Sequence, residues 1–198
     1  VAEKRADTIL HLMLFIELFT LHRVWDGLTD DEVHWEPHPG AWGVRPRAEC
    51  ATPTPLGTGE LVMDFDADLA TAAIGGGAVE PMTTIGWLLG HIGSAPGRLA
   101  ERDFLGGAAT AAEMAATLYQ PVVFATAGDA VTTMRHGWRA LDAALQTATD
   151  EQLERPSLEY YGPSNGMQLT MSVLNEISHH GTQICMLRDL YRAQRTFG

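Results

Sequence analysis

Three side chains in this 198-residue chain have the types and spacing to hold a metal ion: His91, and Glu176 with His180 four residues after it. On a helix advancing about 100° per residue, Leu169, Val173, Glu176, His180, Ile184, Leu187 and Tyr191 fall within an arc of about 80°. Glu176 and His180 therefore interrupt an apolar stripe. An ionised carboxylate facing a core costs on the order of several kcal/mol unless something compensates it. One compensation is a divalent cation shared by the two side chains; the other is a hydrogen bond between them at the rim of a bundle. His91 shares a face with Thr84, Trp87, Leu88, Ala95 and Leu99 and is flanked by Gly90 and Gly93. A lone His in that setting is ordinarily a satisfied core histidine. Three such residues converging between facing helices instead make an open site of two His and one carboxylate, with a position left for water or substrate.

The elements that must position them are helices. Helical length and periodicity recur at roughly 3–26, 83–103, 127–148 and 167–195. The expected fold is all-α: a four-helix bundle, one domain over 1–198, with short extra helices and a long loop between helices one and two. Thr29-Asp30-Asp31-Glu32 and Thr149-Asp150-Glu151-Gln152 are capping boxes that start short helices ending before Pro37 and by Pro156. A further short helix is expected around 110–119. The loop spans 36–82, with three Pro before Arg47 and Gly75-Gly76-Gly77 near its end, and within it Gly59–Thr71 could hold a short helix or strand. The third long helix has a stripe of Val131, Met134, Trp138, Leu141 and Leu145, and His136 falls off it toward solvent. The first helix is apolar nearly all round, with Ile9, Leu12, Met13, Ile16 and Phe19 on one side and Phe15, Leu18 and Trp25 on another. A helix with so little polar face is either central or covered by a partner chain, which favours a homodimer.

The pairing of W-L-L-G-H-I at 87–92 with N-E-I-S-H-H-G-T-Q-I at 175–184 resembles the DinB-like (YfiT-like) superfamily of metal-binding four-helix bundles. The stretch L-T-D-D-E-V-H-W-E-P-H-P-G-A-W at 28–42 is similar to that family's segment after its first helix. The resemblance places His91 as the ligand from the second helix and His180 as the second His of the family's H-x-x-x-H pair. Glu176 stands where the first His of that pair usually is, and Gln183 matches the family's Gln. A His, Glu, His set is the arrangement of relatives resembling mycothiol-dependent maleylpyruvate isomerases and other thiol transferases. By that resemblance the cofactor is a divalent metal, zinc first, with nickel or iron as alternatives, and a low-molecular-weight thiol such as mycothiol is the co-substrate. The chain ends soon after the fourth helix, so a stand-alone thiol S-transferase is expected rather than the two-domain isomerase. In that reading a metal-bound thiolate attacks an electrophilic small molecule. A hydrolase using metal-bound water, and a non-catalytic metal-binding stress-response protein, are the alternatives.

Other residues carry weaker expectations. His11 and His22 share a face of the first helix with Phe15, Leu18 and Trp25; they line the pocket or are buried and paired. Together with Trp87 and Gln183 they are the candidate substrate-binding residues. His34-x-Glu36-x-His38 has ligand types, but Pro37 and Pro39 exclude a helical face and a second metal there is not expected. His179 is rotated off the Glu176 and His180 arc, and Cys185 lies opposite Glu176, so no catalytic thiol is expected beside the metal.

The net charge of −12 and pI near 4.9 disfavour nucleic acid, since an acidic surface repels phosphate and the Arg residues are scattered. Two cysteines, Cys50 and Cys185, far apart and outside any C-x-x-C, point to a reducing cytoplasm rather than a disulfide framework. The apolar run Ile9–Leu21 carries His11 and Glu17, lacks a small-residue cleavage site and is read as a buried helix too short to span a membrane. Residue 1 is Val rather than Met, so a trimmed leader remains compatible with the sequence.

Overall fold

The N-terminal apolar segment forms α1, Arg5–Trp25, in the computed structural model, which describes residues 4–74, 76–101, 121–157 and 165–197. Ile9, Met13, Leu21 and Val24 of α1 are fully buried, whereas Leu14, Phe15, Leu18 and Phe19 stay exposed. The expected first stripe therefore loses Phe19 to solvent. The helix widens into a π-helical turn at Glu17–Leu21, where the Glu17 carboxylate accepts a hydrogen bond from the Trp138 indole at 3.0 Å. By length and composition α1 is long and apolar enough to cross a membrane, contrary to the expectation drawn from the shorter run inside it. In this fold one face of it is buried in the core and the other is exposed.

Beyond the turn at Gly27, the Thr29 capping box starts α2, Asp30–His34: Thr29 accepts from the Glu32 backbone N–H and Glu32 accepts from that of Thr29. The long loop that follows holds a small sheet, β1 (Gly43–Pro46) antiparallel to β2 (Leu61–Asp64), with Gly43 opposite Asp64 and Pro46 opposite Leu61. Helix α3, Ala67–Ile74, comes next. Segment 59–71 thus carries both a strand and the start of a helix, and a two-stranded sheet is added to an otherwise helical chain. Asp64 ties the loop together. Its buried carboxylate accepts from the backbone N–H groups of Ala51 and Thr52 and from the Thr52 hydroxyl, and it pairs with Arg45 at 3.2 Å. Burial pushes this carboxyl up, but those hydrogen bonds and the Arg45 charge outweigh it and hold it below its ordinary value.

The second long helix, expected unbroken over 83–103, is instead α4 (Ile85–Ile92) followed by α5 (Ala95–Leu99). The break falls at Gly93–Ser94 because Pro96 has no N–H for the Ile92 carbonyl and its ring crowds that turn. The short helix expected at 110–119 lies outside the described residues. Thr126 caps α6, Ala127–Thr147, by accepting from the Asp129 N–H. The Thr149 capping box then starts α7, Asp150–Glu154, and α8 runs Gly166–Phe197.

One apolar core is shared by α1, α4, α5, α6, α7 and α8, with Met134, Trp138, Leu141 and Leu145 of α6 buried in it. Helices α5 and α6 cross where Gly97 meets Gly137; a Cβ on Gly137 would lie 2.7 Å from the Gly97 nitrogen. Helix α1 packs on α6 and α8, and α4 packs on α8. That last contact brings together the two stretches of sequence that carry His91 and Glu176.

Candidate metal centre

His91 is placed by how α4 is anchored. Trp42 accepts from the Thr84 N–H and donates to the Met82 carbonyl, both at 2.8 Å, joining the end of the loop to the start of α4, where the Thr84 hydroxyl caps the Trp87 N–H. One residue before His91, the Gly90 carbonyl accepts from the Val122 N–H at 2.9 Å. A Cβ at Gly90 would collide with the Met63 methyl and the Val122 carbonyl, so only glycine lets the sheet and segment 121–122 close on this turn. On the facing helix, Gly181 admits Thr20 of the α1 π turn; a Cβ there would meet Thr20 Cγ2 at 2.7 Å. Both flanks of the centre are thus set by glycines.

His91, Glu176 and His180 converge so that one donor atom from each lies within 4.8 Å of the others. Glu176 Oε2 is 3.2 Å from His180 Nε2 and 3.6 Å from His91 Nε2, and the two imidazoles stand at 88° with centroids 5.0 Å apart. Ligands about 2.1 Å from a tetrahedral ion are roughly 3.4 Å from each other, close to the two spacings from Glu176 to the imidazoles. The adjoining imidazoles, His180 first and then His91, hold the Glu176 carboxyl well below the usual carboxylate range, against burial, which pushes it up. Glu176 is also the most open of the three, its side chain 37% exposed against 24% for His91 and 16% for His180.

The candidate substrate-binding residues separate. Trp87 belongs to the centre: its ring stacks on His91 at 5.4 Å and 19°, and its edge faces His180. Gln183 does too, but through His180, its Oε1 lying 2.7 Å from the ring Nδ1. His11 and His22 are exposed on α1 rather than buried; His11 lies edge-on to Phe15, and His22 contacts Trp25 and Asp26. The His34, Glu36 and His38 stretch does not converge. His34 is near the Ala125 carbonyl, Glu36 pairs with Arg45 and His38 contacts the Pro39 carbonyl. His136 and His179 are exposed, and Cys185 is buried against the Thr20 carbonyl, where burial raises its thiol pKa.

Two residues beside the centre were not singled out from the sequence. Trp42 and Phe65, from the long loop, each pack on Trp87 with centroids 5.9 Å apart. They back the ring that backs His91. Their aromatic character inside a Pro- and Gly-bearing loop was the available signal, but nothing in the spacing tied them to helix α4.

A mostly helical chain with a His, Glu, His cluster bridging two facing helices belongs to the class of small helical proteins able to hold a divalent metal. The chain is a member of the DinB superfamily, whose family model matches residues 20–184. Neither a characterised protein nor a solved structure matches it at a significant level.

Proposed function

We propose that His91, Glu176 and His180 hold a divalent cation, zinc first, in a DinB-type four-helix bundle, and that the protein transfers a low-molecular-weight thiol to an electrophilic small molecule. The observation that supports the metal is the convergence of three potential ligand atoms, one from each side chain, within 4.8 Å of one another. Bound there, such a cation would supply Lewis acidity, deprotonating a thiol that coordinates it and polarising an electrophile. The chain's own side chains do the rest. His91 and His180 present Nε2, Glu176 supplies the single negative charge, and Trp87, with Trp42 and Phe65 behind it, keeps water from the far side of the His91 ring. The exposed edge at Glu176 leaves an approach for a small ligand.

The test begins with elemental analysis of tag-free protein. About one equivalent of metal is expected, falling to background in His180→Ala; wild-type protein without stoichiometric metal overturns the proposal. A model electrophile is then offered with and without added thiol. Consumption only with thiol supports the transferase, and equal consumption without it replaces the transferase by a hydrolase. Metal that raises the melting temperature while no electrophile is turned over leaves a structural metal-binding protein.

A further inference from the structure

Gln183 lies three residues after His180 on α8, and its Oε1 sits 2.7 Å from His180 Nδ1. An amide oxygen only accepts, so the bond requires the proton on Nδ1. The other nitrogen, Nε2, is the one turned toward Glu176. An imidazole can ligate through either nitrogen, and what the second nitrogen bonds to decides which is used and how the ring is oriented. His91 has a different support, the flat face of Trp87.

We infer that Gln183 is a positioning residue for the metal centre, holding His180 in the Nδ1–H form so that Nε2 is offered as the ligand. The inference rests on the metal reading above and assigns Gln183 away from substrate contact. Its neutrality matters as well. With two neutral imidazoles and one carboxylate, a divalent cation keeps one net positive charge, whereas a carboxylate at position 183 would cancel it. The centre is thus suited to an anionic fourth ligand such as a thiolate, and an added carboxylate should tighten cation binding.

Zinc and cobalt(II) affinities measured by chelator competition on wild type, Gln183→Leu and Gln183→Glu test this, with the melting temperature and helicity of each metal-free protein as the control. Expected are a loss of about 10–100-fold in Q183L, affinity at least equal to wild type in Q183E, and unchanged metal-free stability in both. The cobalt absorption spectrum should change in Q183L and be restored in Q183E. Wild-type affinity and spectrum in Q183L overturn the inference alone. Equal weakening in Q183L and Q183E overturns it too, because the acceptor then plays no part. A drop in metal-free stability matching the affinity loss assigns Gln183 a merely structural role and overturns it. Wild-type protein that binds neither ion overturns the metal reading and this inference together.

Discussion

The Glu32 carboxylate shows how one residue fastens distant segments here. It is 3% exposed and takes hydrogen bonds from Arg188 Nε at 2.9 Å and Nη2 at 3.2 Å. Arg188 Nη1 in turn donates to the carbonyls of Arg23, Val24 and Asp26, satisfying the end of α1. Burial pushes the Glu32 carboxyl up, but the Arg188 hydrogen bond and charge, the Thr29 N–H and the Arg192 charge prevail, and its pKa lies below the ordinary value. A carboxyl lowered on folding contributes stability above its unfolded value, near 4.3 for Glu, and loses it as pH falls through the folded value. Glu32→Gln, which leaves the Arg188 charge buried and unpaired, should destabilise by about 3 kcal/mol at pH 7. That gap should narrow as the pH falls below about 4, in urea denaturation of both proteins. A gap independent of pH would show that the pair contributes through shape rather than charge.

At the scale of elements, the centre depends on α4 being short and closely approached. The Gly93–Ser94 break ends the helix just after His91, and Gly90 lets Met63 and Val122 press on the preceding turn. Gly90→Val should cost about 1–3 kcal/mol by overpacking. Because the collision includes the Val122 carbonyl as well as a flexible Met side chain, the backbone must shift. Metal affinity should then fall along with stability, as measured by thermal unfolding and competition titration. Affinity kept while stability falls would show that α4 moves as a rigid unit with its ligand in register.

For the whole molecule, the exposed side of α1 is the feature the core does not explain. Leu14, Phe15, Leu18 and Phe19 are about half exposed or more, as are Met186 and Leu190 on the adjoining α8. Six such side chains present on the order of 600 Å² of apolar surface, close to the roughly 800 Å² each partner gives a standard interface. No Asp, Glu, Lys or Arg lies between His11 and His22 except Glu17, which is engaged with Trp138. We propose that a second copy of the chain covers this face. Sedimentation velocity should give a dimer for wild type and a monomer for Leu18→Glu, with the metal content of the variant unchanged. A monomeric wild type excludes the dimer.

The helices, both capping boxes and the pairing of Glu176 with His180 were legible in the sequence because each depends on residues within about one turn of one another, where spacing alone dictates geometry. The Glu176 and His180 pair could be read from a single stripe on a single helix. His91 needed more: only the packing of α4 against α8 puts its Nε2 beside Glu176, and family resemblance stood in for that contact. The break at Gly93–Ser94 was present as Pro96 but was overridden by an apolar pattern that ran through it. Decided by tertiary structure alone were the contacts of Trp42 and Phe65 on Trp87, the sheet inside the long loop, and the exposure of His11 and His22. Each turns on which distant surfaces meet, and helical periodicity carries no information about that. Gln183 lies between the two cases: its spacing from His180 was in the sequence, but its bond to Nδ1 depends on how the His180 ring is turned, which spacing does not fix.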